Sequence, residues 1–154
     1  FFPKYKDFNS KEVFLGSFFK WDPKETFNYS KKLGFIEDIK PRIGSYKFAD
    51  IDDDFISIHH WIKWYKFGFT REFDNLSIEI RSGRITRKNA IKLITKNLNL
   101  PPISDVKKFC ITTGITEKKF FKIIDKFRNK KIWNYDNQIK KWKIKNFIAK
   151  NYNW

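Results

Sequence analysis

The chain has 154 residues, with 33 Lys plus Arg against 17 Asp plus Glu and a formal net charge of +16. A hydrophobic fraction of 41%, with 19% aromatic residues, supplies a core for one domain and excludes disorder as a description of the whole chain. No apolar run approaches the roughly 20 residues of a membrane-spanning helix, and the single cysteine, Cys110, excludes an internal disulfide framework and a Cys-rich zinc site.

The charge alone is a weak pointer to nucleic acid. Phe, Ile, Lys and Asn make up about half of the chain, and all four are encoded by triplets of A and T. AT-rich coding therefore raises lysine with no anionic partner required. The sequence contains no methionine, even at position 1, so it reads as a fragment or a processed chain. It does not open on a basic start and an apolar stretch, so no signal peptide is expected, and cytoplasmic placement is the default.

Taken in order, Val13–Phe19 reads as at most a short buried strand. Asp22-Pro23-Lys24-Glu25 places an N-cap residue before a first-turn proline, which predicts a helix from Pro23 to about Leu33, stopping at Gly34. Residues 42–50 read as loop. A second helix starts near Asp52–Asp54, whose carboxylates suit its positive end, and stops at Gly68. A third covers about Glu72–Ser82. A fourth, capped by Thr86, runs to about Leu98. A fifth covers about Ser104–Thr112, and a sixth about Glu117–Arg128 with Thr116 as N-cap. Residues 132–144 read as a hairpin. Pro101-Pro102 interrupts helix where the charge density rises, which suggests a region 1–100, a helical hairpin 103–130 and a basic aromatic tail 131–154.

Three constellations stand out. On the second helix, His59, Lys63 and Lys66 share a stripe of an otherwise apolar surface, and Asp52 extends it. They either line a polar cleft or form the solvent edge of a buried helix, with the lysines snorkelling outward. Four of the six arginines, Arg71, Arg81, Arg84 and Arg87, lie in one stretch. A guanidinium grips phosphate or carboxylate with two parallel bonds, and Glu72, Asp74 and Glu79 are equally available as structural partners. On the third helix Asp74, Ser77 and Arg81 share a face. Finally, residues 104–128 have the spacing of a helix–turn–helix, with Lys118, Lys119, Lys122 and Lys126 outward. Base-reading Arg, Asn or Gln is scarce on that face. The chain has no glycine-rich phosphate loop, no HExxH and no GxSxG. Adjacent His59-His60 lack ligand spacing, so no metal site is expected.

Several of these residues carry a family resemblance. Leu15-Gly16 followed by Trp21-Asp22-Pro23 is similar to the "LG-x-x-x-x-WDP" segment of N-acetyl sugar amidotransferases, enzymes of bacterial surface-polysaccharide and flagellin-glycan biosynthesis. Ile51-Asp52-Asp53, His59-His60 and Lys66-Phe67-Gly68 with Arg71 resemble the family's "DD … H(Y/H) … KFG-x-GRA" block. Glu79-Ile80-Arg81-Ser82-Gly83-Arg84-Ile85-Thr86-Arg87 resembles its "EIR-x-G-x-ITR" block. Gly114–Glu117 and Ile123–Arg128 resemble its closing helical hairpin. The ordered set spans about residues 14–133.

The resemblance implies a mainly α chain, the helical C-terminal part of an α/β nucleotide-binding enzyme of the PP-loop ATPase type. Such enzymes use ATP with Mg2+ to adenylate the acetamido oxygen of a nucleotide sugar. Ammonia from a glutaminase partner then displaces AMP and leaves an acetamidino group. The resemblance further implies phosphate or substrate roles for Lys66, Arg71, Arg81 and Arg87, and for Asp52, Asp53, His59 and Lys63. The family's phosphate-binding loop lies upstream and has no counterpart here, so the chain alone is expected to be inactive. Thr70 stands where the family has a second glycine, and Phe73 is bulkier than its counterpart, which leaves room for a scaffold without activity. The rival reading from another class is a basic helix–turn–helix module binding DNA.

Overall fold

A computed structural model describes residues 13–96 and 100–144. It separates into two compact units, residues 1–35 and 36–154. Among the described residues there are six α-helices and one two-stranded antiparallel sheet, so the chain is mainly helical, as its patterning predicts.

In the first unit, Leu15–Ser17 forms a single 3-10 turn instead of a strand. The short strand expected at 13–19 is not formed. Val13, Phe14, Leu15, Phe18 and Phe19 are all exposed, and a lone apolar run has no ladder in which to place its backbone groups. Helix α1, Pro23–Lys32, is set by local chemistry. Asp22 Oδ1 accepts the Lys24 N–H at 2.9 Å, Pro23 opens the first turn, and Gly34 at φ 97° closes the last.

The second unit is built around α2, Ile56–Phe67. It begins after the predicted Asp52–Asp54, because Asp53 Oδ1 takes the Phe55 N–H at 2.7 Å in a turn just before the helix. Gly68, at φ 75°, ends it by donating to Trp64 O. Helices α3 (Arg71–Arg81), α4 (Arg87–Lys96), α5 (Ile103–Thr113) and α6 (Glu117–Asp125) follow. Thr86 and Thr116 cap α4 and α6 as predicted, accepting from Asn89 and Lys119. The predicted end of α4 at Leu98 lies outside the described residues.

Helix α6 stops three residues before the predicted Arg128. Its last turn tightens through Lys126 N–H to Ile123 O and Phe127 N–H to Ile124 O. The Asn129 N–H then bonds Tyr65 O on α2, which turns the chain back toward that helix. Strands β1 (Trp133–Asp136) and β2 (Lys141–Ile144) form the predicted hairpin, with Trp133 opposite Ile144 and Asp136 opposite Lys141.

The core draws Ile58, Trp61, Trp64 and Tyr65 from α2, Val106 and Cys110 from α5, Phe120 and Ile124 from α6, and Trp133 from β1. Residues on both sides of Pro101-Pro102 thus share one apolar cluster. Ser57 on α2, fully buried, donates to Asp105 on α5. The Arg128 guanidinium lies 4.1 Å from the centroid of the Tyr65 ring and 4.8 Å from that of Trp133, which seals the core where α6 meets the hairpin. Cys110 packs as a small hydrophobe, and burial pushes its thiol up.

Candidate functional site

The segment 38–54 carries no regular structure, yet it is fastened at many points. Arg42 donates to Asp38 Oδ2 and to Asp53 O, each at 3.0 Å. The Ser45 N–H donates to Asn75 Oδ1 at 3.0 Å. The Tyr46 hydroxyl donates to Glu79, whose carboxylate also takes both the Nε (2.8 Å) and the Nη2 (3.0 Å) of Arg84. Burial, with Glu79 beside it, pushes the Tyr46 phenol up. Asn75 and Glu79 are buried polar residues of α3, and these bonds satisfy them. The loop is therefore a strap laid along α3.

The strap ends in a chain of charges. Asp50, at φ 59°, accepts from Arg71 Nε at 2.9 Å and Nη2 at 3.2 Å. His60 Nε2 lies 3.5 Å from the same carboxylate. Arg71 also reaches Asp74 at 3.8 Å, and Lys63 Nζ donates to Asp74 at 2.7 Å. Burial, the largest influence, pushes His60 down from its ordinary value of 6.5. Asp50 opposes this, and Arg71, Lys63 and His59 reinforce it. His60 Nδ1 is buried and has no hydrogen-bond partner.

One turn further along α3, Asp74, Ser77, Ile78, Ile80, Arg81 and Arg87 line a concavity of about 400 Å³. Asp74 thus belongs both to the ion-pair chain and to this hollow. Of the eight residues singled out from sequence, four gather around it: Lys63 and Arg71 as its ion-pair partners, Arg81 and Arg87 across the hollow.

The other four are placed elsewhere. Lys66 Nζ lies 4.8 Å from the centroid of the Phe127 ring. Asp53 serves the start of α2 and holds Arg42 through its carbonyl. Asp52 and His59 are exposed, and the His59 ring meets His60 edge-on at 5.3 Å. Arg84 is committed to Glu79. Asp50 and His60 were not singled out from sequence. His59 and His60 are neighbours with the same local signal, and only the strap, which covers one of them, tells them apart.

A concave surface bearing two arginines, a serine hydroxyl and a carboxylate can hold an anion with hydroxyl groups nearby. Residues 23–148 match the family described as LPS biosynthesis protein WbpG-like, C-terminal domain. The chain belongs to this family. No curated protein matches it. The arginine-bearing helix α3, the strap and the core that fixes them all lie within the WbpG-like match, as does every residue of the site just described. Among the described residues no helix is long and apolar enough to cross a membrane, and no group of three or more His, Cys, Asp or Glu side chains is placed to hold a metal ion.

Proposed function

We propose that this WbpG-like domain is the helical C-terminal part of an ATP-dependent N-acetyl sugar amidotransferase of surface-glycan biosynthesis, acting in the cytoplasm. It converts an acetamido group of a nucleotide sugar to an acetamidino group, with ammonia supplied by a glutaminase partner. Membership of an LPS biosynthesis family supports the pathway, and the motif blocks at Glu79–Arg87 and Lys66–Arg71 support the reaction. The observation that carries the site is the concavity shared by Arg81, Arg87, Ser77 and Asp74.

The donor set fits a phosphate group. Two guanidinium forks match its oxygens, while Asp74, neutralised by Lys63, fixes the near rim; the Ser77 hydroxyl already donates to Phe73 O. It does not fit Mg2+ as well, since the described residues bring no cluster of carboxylates together. ATP, when bound by the nucleotide-binding part of the enzyme, supplies activation of the amide oxygen. This chain's residues bind and orient. Arg81 and Arg87 hold a phosphate of the nucleotide sugar or of the departing pyrophosphate, and the Lys63–Asp74–Arg71 chain keeps α3 at a fixed distance from α2.

The test is turnover of a UDP-N-acetyl sugar with ATP and glutamine, with the complete enzyme and its ammonia source. Replacing Arg81 by Ala should lower kcat/KM about tenfold or more, as expected for loss of a charge-assisted phosphate contact. Its unfolding midpoint should not change, because Arg81 is exposed. Unchanged turnover would remove Arg81 from the site.

A further inference from the structure

The two ends of the arginine concavity leave different groups open. At one end is Asp74. Its Oδ2 accepts from Lys63 Nζ at 2.7 Å and lies 3.8 Å from Arg71 Nη1. Among the described residues its Oδ1 accepts no hydrogen bond, although a carboxylate oxygen has two lone pairs to offer. One turn along α3, the Ser77 hydroxyl gives its proton to Phe73 O at 2.7 Å, which leaves the lone pairs of Oγ. Both residues line the hollow.

At the other end is Arg81. Among the described residues its guanidinium has no ion pair and no hydrogen bond, whereas Arg42, Arg71, Arg84 and Arg128 are each paired with a carboxylate. Asp74 and Arg81 lie on α3 about 10 Å apart along its axis. They face one hollow without neutralising each other. The hollow thus has an acceptor end and a cationic end.

The charges already in place decide what the acceptor end takes. Lys63 is held by Asp74 and by the Phe69 ring, whose centroid lies 4.7 Å from its Nζ. Arg71 is tied to Asp50 through Nε and Nη2. An ammonium group brought to Asp74 Oδ1 would meet both of these fixed cations, in a chain of net charge +16. An uncharged hydroxyl meets no such repulsion and donates to the carboxylate in a charge-assisted bond. We propose that Asp74 determines specificity here, so that the concavity selects a phosphate ester carrying hydroxyl groups. The phosphate sits on Arg81, and the hydroxyls donate to Asp74 Oδ1 and Ser77 Oγ. The phosphate end rests on the reading given above; the preference for hydroxyls follows from the acceptors of the lining.

The test is an NMR titration of the 154-residue chain with propyl phosphate, glycerol 3-phosphate and phosphoethanolamine. Propyl phosphate and glycerol 3-phosphate should both shift the Arg81 Nε–H and the Ser77 amide saturably. Glycerol 3-phosphate should bind about tenfold more tightly, as expected for a hydrogen bond to a charged group. Phosphoethanolamine should bind no more tightly than propyl phosphate. Asp74→Asn should bring the propyl and glycerol esters to within about twofold of each other. It should bind propyl phosphate at least as well as the parent does, because a negative charge has left the rim. Ser77→Ala, which touches no ion pair, should narrow the preference by about twofold. If Asp74→Asn does not fold, the comparison of the three esters on the parent decides alone. Equal binding of the propyl and glycerol esters to the parent, tighter binding of phosphoethanolamine than of glycerol 3-phosphate, or a full preference retained by Asp74→Asn overturns the role of Asp74 and leaves the anion site standing. No saturable shift with any ester, or binding unchanged in Arg81→Ala, removes the anion site and this inference with it.

Discussion

His60 illustrates how one residue's environment sets a property of the folded state. Its ring is shielded by the strap, its Nε2 faces Asp50, and Asp50 is already held by Arg71. Burial holds the imidazole below 6.5 in the folded chain, whereas the unfolded chain protonates near that value. Between the two values the unfolded state binds the additional proton. The contribution is therefore fully present above about pH 6.5 and is lost as pH falls through the folded value. The denaturation midpoint should decline as the pH is lowered from about 7 to about 5. His60→Gln should flatten that decline relative to the parent. His59→Gln, at an exposed neighbour, should not. Parallel pH profiles for the parent and His60→Gln, followed by urea unfolding, would rule out a burden on His60.

At the scale of elements, the strap is the part of the fold that most needs an unusual backbone. Gly44 sits at φ 75°, and a Cβ there would collide with Asn75 Oδ1, the atom that holds the Ser45 N–H. Gly83 sits at φ 71°, but no atom lies within 4 Å of where its Cβ would be. The two glycines separate backbone strain from collision. Gly83→Ala should cost about 1 kcal/mol, the strain of a left-handed residue. Gly44→Ala should cost about 3 kcal/mol, because it also breaks the half-buried hydrogen bond from the Ser45 N–H to Asn75. Equal losses in chemical denaturation would mean that the strap yields freely.

The same contrast explains what could be read in advance. Asp22, Thr86 and Thr116 cap helices through bonds to residues two or three positions away, so sequence shows them. The bonds that fasten the strap to α3 join residues 21 to 33 positions apart: Asp50 to Arg71, Ser45 to Asn75, Tyr46 to Glu79. Residues 42–50 were legible as loop because they show no periodicity, but nothing local shows that the loop is fastened. The Asp74, Ser77 and Arg81 face followed from helical spacing. That Arg87, from the next helix, closes on it did not.

For the whole molecule, the charge profile divides the chain near Pro101-Pro102, while the apolar cluster crosses that point. Lysine density reports the solvent-facing half of each amphipathic element, and it carries little information on which elements pack together. The hairpin decides between a basic tail and a structural part. Trp133 is 5% exposed, its Nε1–H donates to Tyr65 O at 3.0 Å, and its ring meets Trp64 edge-on at 5.3 Å. Arg128 stacks between α2 and the hairpin. Trp133→Ala should therefore cost about 3–5 kcal/mol, a large share of the roughly 5–15 kcal/mol that holds a domain together. A chain ended at Asn129 loses in addition Ile132, Trp142 and Ile144, which pack against the same cluster. It should lose cooperative thermal unfolding, with its remaining tryptophans exposed to quenchers. If that shortened chain melted as sharply as the parent, residues beyond 130 would be an appended tail, and the core would have to close on α2, α5 and α6 alone.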